Sequence, residues 1–306
     1  MTRAVRFDHY GDRDVLYVAD IELDPPAAGE VIVVVRGAAI NPGEASIRSG
    51  ALEARFPATF PSGEGSDLAG VVESVGAGVT EFAVGDEVLG WSWRRSSHAE
   101  RVAVPATQLI AKRPELSWEV AGSLYVVTCT AYAAVRAVAP APGDIVAVSA
   151  AAGGVGTVVV QLLKAKGSRV LAIASEGNHA WLSSHGAIPI RYGDGLLERM
   201  REAAPSGVDA FIDLFGSEYV DLAIALGVAP DRIETIIARD AALAVGAKVE
   251  GSGDASTTAV LSEMADLVAD GIVEIPIAAT YPLSEVRAAF AELEGRHTHG
   301  KIVLIP

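Results

Sequence analysis

The tightest constraint in this 306-residue chain is the run Ala151-Ala152-Gly153-Gly154-Val155-Gly156. The apolar stretch DIVAVSA (144–150) leads into it, and a second apolar stretch, TVVVQLLKAKG, leaves it. A turn of that composition between a strand and a helix has the spacing of a dinucleotide-binding fingerprint, with Ala151 where the first glycine usually stands. Small residues are needed here for physical reasons. Gly153 lets the backbone approach a pyrophosphate, Gly154 and Val155 open a helix whose free N–H groups can face phosphate, and Gly156 lets helix and strand pack closely. A tight turn in any α/β domain would also use glycines, but the strand–turn–helix context favours the phosphate-binding reading.

The surrounding texture supports a parallel sheet. RVLAIAS (169–175) is followed by a helical stretch near 178–185, and short apolar runs recur at 188–191, 209–215 and 232–237. Strands alternating with helices of that length indicate a doubly wound sheet with helices on both faces. Residues 1 to about 110 differ. Val-rich segments at 31–40, 70–76 and 86–91 are bounded by Pro25-Pro26, Pro42-Gly43 and Gly85-Asp86, which predicts an irregular β domain or barrel. An Ala-rich helix is expected over 118–138. Beyond about 256 the pattern predicts a helix (257–270), a strand-like run (272–279), a helix (284–294) and a terminal strand, KIVLI.

Composition excludes several classes of function. A net charge of −15 and a pI near 4.8, with no basic stripe, oppose nucleic-acid binding. The single cysteine, Cys129, allows no intrachain disulfide and no cysteine-rich zinc site, and reads as a small core residue. The opening MTRAVRFDHY has no signal-like apolar run, and no stretch reaches membrane-spanning length, so a soluble cytoplasmic protein is expected.

Five segments in order and spacing, AINPGEASIRSG (39–50), GSDLAGVVESVGAGVTEFAVGDEV (65–88), TCTAY (128–132), the AAGGVG loop and HGKIVL (299–304), resemble the medium-chain dehydrogenase/reductases, specifically their zinc-free quinone oxidoreductase branch. The resemblance spans nearly the whole chain. It implies an α/β protein with a GroES-like β domain (1–117 and 256–306), a Rossmann dinucleotide-binding domain (118–255), an active site in the cleft between them, and a homodimer. Metal-dependent members carry an early Cys and a Gly-His-Glu. Here Asn41 stands near the first, and Gly65-Ser66-Asp67 replaces the second, so no tetrahedral zinc site is expected. His297 and His299 flank one threonine and read as an exposed loop before the last strand, not as metal ligands.

The resemblance also assigns roles. Asn41 and Thr128 belong beside the nicotinamide, Thr130 near its carboxamide, and Phe215, Ile237, His299 and Lys301 join the cofactor site. A turn asparagine and helix-start caps are the plain alternatives for Asn41 and the two threonines. Tyr125 offers an O–H to a developing enolate, but reads better as a buried structural tyrosine. Trp91 offers an apolar wall for a flat ring, or packs in the core. Arg48 is expected to bond loop carbonyls. Leu52 stands where relatives often have Tyr, which removes one phenol.

Ser175, ending the second strand, occupies the place of the acid that binds a ribose 2′-OH in NAD sites. With Asn178, His179 and Tyr192 it favours a 2′-phosphate, hence NADPH, although Glu176 carries the wrong sign. Without a Lewis acid, an electron-poor alkene or quinone is an easier hydride acceptor than an unactivated ketone. The expected function is zinc-independent, NADPH-dependent reduction of a small quinone or enone. The rival is a non-catalytic NADPH-binding sensor or structural protein on the same fold.

Overall fold

The computed structural model describes residues 1–306. The chain divides into two compact units, Met1–Val126 with Thr257–Ala269 and Pro276–Pro306, and Val127–Ser256 with Asp270–Ile275. The division falls inside a helix, not at the composition change near 118.

The first unit contains β1 (Thr2–Phe7), β2 (Tyr17–Ile21), β3 (Glu30–Ala39), the short helix α1 (Pro42–Arg48), β4 (Ser62–Gly63), β5 (Asp67–Val75), β6 (Glu87–Trp91), β7 (Arg101–Pro105) and β8 (Leu109–Ala111). The Val-rich β3 is its centre, antiparallel to both β5 and β7. Val31, Val33, Val35, Leu68, Val72, Val88, Val102 and Val104 meet inside it as one buried cluster. This is the GroES-like β domain of an α/β protein.

The expected helix over 118–138 is two helices, α2 (Trp118–Ala121) and α3 (Leu124–Val138). The break lies at Gly122, whose carbonyl accepts from the N–H of Ala39 at 2.8 Å. A Cβ on Gly122 would lie 2.3 Å from the Gly37 carbonyl oxygen, and one on Gly37 would lie 2.5 Å from that of Trp118. Two glycines therefore let α2 touch the strand backbone, and this tertiary approach interrupts an otherwise helical pattern.

The second unit holds the parallel strands β9 (Ile145–Val148), β10 (Arg169–Ala174), β11 (Ile188–Arg191), β12 (Ala210–Asp213) and β13 (Ile233–Thr235), in the order β11-β10-β9-β12-β13. The helices α4 (Gly154–Ala165), α5 (His179–Ser184), α6 (Leu196–Ala203) and α7 (Ser217–Ala225) connect them, and α8 (Arg239–Val245) follows β13. This is the Rossmann arrangement, with the chain leaving β9 for β10 on one side and reaching β12 on the other. Its core joins Leu171, Ile173, Ile190, Met200, Phe211 and Ile233. The last three helices fall in the helical intervals that the alternating pattern implied without ranges.

The chain then supplies α9 (Thr258–Ala269), β14 (Ile277–Pro282), α10 (Val286–Glu294) and β15 (Lys301–Ile305). The strand expected at 272–279 thus begins later. β15 pairs with β3, and Leu283, Val286, Phe290, Ile302 and Leu304 close a core with Val5, Phe7, Leu16 and Ile40. No helix is long and apolar enough to cross a membrane.

Candidate functional site

In the second unit, one rule of topology gathers the expected cofactor residues. Ala151 and Gly153–Gly156 follow β9, Ser175 follows β10, Tyr192 follows β11, Phe215 follows β12 and Ile237 follows β13. Parallel strands present all these loops at a single edge of the sheet, the carboxyl edge, where doubly wound folds take their ligands.

Gly153 is the N-cap of α4. A Cβ on it would meet one neighbour within 4 Å, the Ala150 carbonyl oxygen, in a tight contact at 3.3 Å. Gly156 differs: a Cβ there would fall 2.3 Å from the same oxygen and 2.7 Å from Ala151. One glycine has a single close neighbour, and the other lets the helix sit on the loop. Thr128 and Thr130 lie within α3 and do not cap its start. The Thr128 hydroxyl is fully buried with no hydrogen-bond partner, an anomaly that a bound polar group would relieve. Asn178 donates its side-chain N–H to Ser175 Oγ at 3.0 Å, which leaves the serine hydrogen to donate elsewhere. Asn178 ends a short turn and His179 begins α5. Glu176 accepts from Arg191 at 3.4 Å, so its charge is opposed locally. Tyr192, Phe215 and Ile237 are substantially exposed. These residues fit a nicotinamide dinucleotide.

Sequence reasoning missed the group that holds this edge together. Asp213 is fully buried at the end of β12. Its Oδ1 accepts from Ser149 Oγ (2.7 Å) and the backbone N–H groups of Phe215 (2.9 Å) and Gly216 (3.2 Å), while Oδ2 accepts from Thr235 Oγ1 (2.7 Å). One carboxylate thereby ties the ends of β9, β12 and β13 to their loops. The available signal was an acid closing the apolar run AFID.

The first unit holds Asn41, Tyr125, His299 and Lys301. Asn41 caps α1, and its N–H donates to Glu44 Oε2 at 2.9 Å. Its side-chain amide donates to Glu44 Oε1 (3.2 Å) and Asp67 Oδ2 (2.8 Å), and its Oδ1 accepts from Lys301 Nζ. Lys301 also donates to the Ile40 carbonyl at 2.9 Å. Asp67 Oδ1 accepts the N–H of Val126 at 2.8 Å. Asn41, Glu44, Asp67 and Lys301 are all buried. Burial pushes the Asp67 carboxyl up to about 6 against the pull of Lys301, and the same burial lowers the lysine. His98 is fully buried 3.9 Å from Glu44, and burial lowers its pKa.

This network does not fit zinc. Asn41 Oδ1 accepts from Lys301, Asp67 Oδ2 accepts from the Asn41 amide and Asp67 Oδ1 from the Val126 N–H, Lys301 brings a positive charge into the same space, and no cysteine stands there. Arg48 does not bond loop carbonyls as expected. It pairs with buried Glu64 (2.6 Å) and with Glu294 (3.2 Å) and lies 4.3 Å over the Phe290 ring. Carboxylates satisfy its fork better than carbonyls do. Tyr125 is buried and stacks on buried Trp91, with ring centroids 4.7 Å apart. His299 lies in the loop before β15, and Cys129 is buried.

A GroES-like β unit and a Rossmann unit with a glycine-rich loop at its carboxyl edge are the parts of a dehydrogenase/reductase. Residues 27–142 match the alcohol dehydrogenase GroES-like domain, and residues 185–304 match the zinc-binding dehydrogenase family. The chain is 30% identical to the quinone oxidoreductase of Mus musculus, over 100% of this chain and 98% of the relative. Its fold matches the quinone oxidoreductase of Coxiella burnetii with a TM-score of 0.88 at 28% identity, covering 100% of this chain and 99% of the other. It matches a mycobacterial protein complexed with NADPH at a TM-score of 0.87 and 25% identity, covering 100% of both. The chain belongs to the medium-chain dehydrogenase/reductase family, in its quinone oxidoreductase-like branch.

Proposed function

We propose that the protein is a zinc-independent reductase that uses NADPH to reduce quinones or α,β-unsaturated carbonyl compounds. The observation that carries this reading is the saturated Asn41–Glu44–Asp67–Lys301 network, which offers hydrogen bonds where metal-dependent relatives offer zinc ligands. When bound, the reduced nicotinamide supplies a hydride to a conjugated carbon, and charge gathers on the substrate's carbonyl oxygen. Such an acceptor needs no Lewis acid, because hydrogen bonds or water can carry that charge.

The chain's own residues divide the work. The loop at Gly153 receives the pyrophosphate. The buried hydroxyl of Thr128 is available to the carboxamide. Ser175 offers a donor at the ribose, and Arg191 offsets Glu176 there, which together favour a 2′-phosphate.

The test is oxidation of NADPH by a panel of quinones and enones, with a cofactor-only control, before and after exhaustive chelation. Turnover unchanged by chelation is expected. Stoichiometric zinc whose removal abolishes activity would overturn the metal-free reading. Tight NADPH binding without turnover of any acceptor would favour a sensor or structural role.

A further inference from the structure

The chain is poor in aromatic residues, at 6%, yet three rings converge beside the Asn41 network. Trp91 and Tyr125 stack with an interplanar angle of 13°. Trp93 stands nearly perpendicular to both, at 82° and 85°, with centroid distances of 6.5 and 6.1 Å. Trp91 and Tyr125 are buried, but Trp93 is 50% exposed.

Register and hydrogen bonding join this cluster to the polar network. Trp91 sits opposite Asp67 in the β5–β6 pairing. Val126, next to Tyr125, donates its N–H to Asp67, which in turn holds the Asn41 amide. The Trp93 N–H donates to Gln108 Oε1 at 3.1 Å, which pins the exposed ring's backbone. The indole N–H of Trp91 is buried with no acceptor. A shielded donor of this kind is costly unless something absent from the protein alone accepts from it.

We propose that Trp91, Trp93 and Tyr125 form a seat for the planar ring of the substrate, with Trp91 Nε1 as a donor to its carbonyl oxygen. This rests on the reductase reading and sharpens it. Ring-bearing quinones are preferred over acyclic enones, because only a flat π system gains from the open face of Trp93.

Trp93 is the position to test, since its exposure lets a variant fold. With menadione and ethyl vinyl ketone as acceptors, Trp93→Ala should raise the KM for menadione about tenfold, equivalent to about 1.4 kcal/mol. The KM for ethyl vinyl ketone should change less than twofold, and Trp93→Phe should restore most of the menadione affinity. Equal effects on both acceptors, or none, would overturn the seat. Calorimetric titration of menadione without NADPH separates this from the reductase reading. Binding that weakens in Trp93→Ala and recovers in Trp93→Phe supports the seat even if no acceptor is turned over. Absent binding, or binding indifferent to Trp93, removes it.

Discussion

At the level of single residues, the two loop glycines make opposite demands. A Cβ on Gly153 would touch one backbone oxygen at 3.3 Å, whereas one on Gly156 would run into backbone atoms at 2.3–2.7 Å. Gly153→Val should fold after a small shift at the Ala150 carbonyl, with nearly unchanged far-ultraviolet circular dichroism, while losing detectable NADPH binding. Gly156→Ala should lose about 1–3 kcal/mol of stability, because the loop must move to admit one methyl group. A Gly153→Val variant that binds NADPH as the parent does would remove the phosphate loop from the site. Ser175 sets a second test. Its hydroxyl favours a 2′-phosphate, and the Arg191–Glu176 pair limits repulsion, so the preference for NADPH over NADH should be about 10–100-fold, or roughly 1.4–2.7 kcal/mol. Ser175→Asp should reduce or reverse it. Dissociation constants for both cofactors in both proteins decide the matter, and tighter NADH binding in the parent would make Glu176 the controlling group.

Among the elements, the five parallel strands matter less for their length than for how their carboxyl ends are tied. Asp213 alone accepts from Ser149, Phe215, Gly216 and Thr235. Asp213→Ala would remove the acceptor of two buried hydroxyls, Ser149 and Thr235, and of two part-buried N–H groups, Phe215 and Gly216. Each such loss costs about 1 kcal/mol or more, so a total of about 3–5 kcal/mol is expected, with weakened NADPH affinity in whatever remains folded. Asp213→Asn keeps the shape and one acceptor oxygen, and should cost about half as much. Urea unfolding of the three proteins checks this. Midpoints that coincide would show that the loops are held by other contacts.

Across the whole molecule, stability depends on pH through buried titratable groups, of which Glu234 is one. Glu234 on β13 is fully shielded from solvent, and its carboxyl is pushed up to about 8, first by burial and then by Glu250. A raised value means that the fold prefers the neutral acid. Its stabilising effect is complete below about 4.5, the ordinary value, and is lost as pH rises through about 8. Glu234→Gln should consequently melt several degrees above the parent at pH 9 and close to it at pH 4. A difference in Tm that is the same at both pH values would refute this account. The chain's charge of −15 gives alkaline conditions a further destabilising tendency that the substitution leaves almost unchanged.

Local chemistry made much of this protein legible in its residues. The AAGGVG run between apolar segments determined a tight strand–turn–helix passage from β9 to α4, because only small residues permit that turn. The alternation of apolar runs determined the parallel sheet. Gly65-Ser66-Asp67 already showed a departure from the Gly-His-Glu of metal-dependent relatives. Tertiary structure decided the rest. Arg48 found carboxylates from Glu64 and Glu294, partners far away in sequence, where local reading offered only nearby carbonyls. The helix expected over 118–138 broke at Gly122 because β3 approaches it there, a contact no periodicity records. Asp213 and His98, and the grouping of Trp93 with Trp91 and Tyr125, became notable only once separate segments met. Patterns along a chain reflect what each segment needs from water and from its own backbone, whereas buried polar groups and stacked rings are defined by neighbours that only the folded chain supplies.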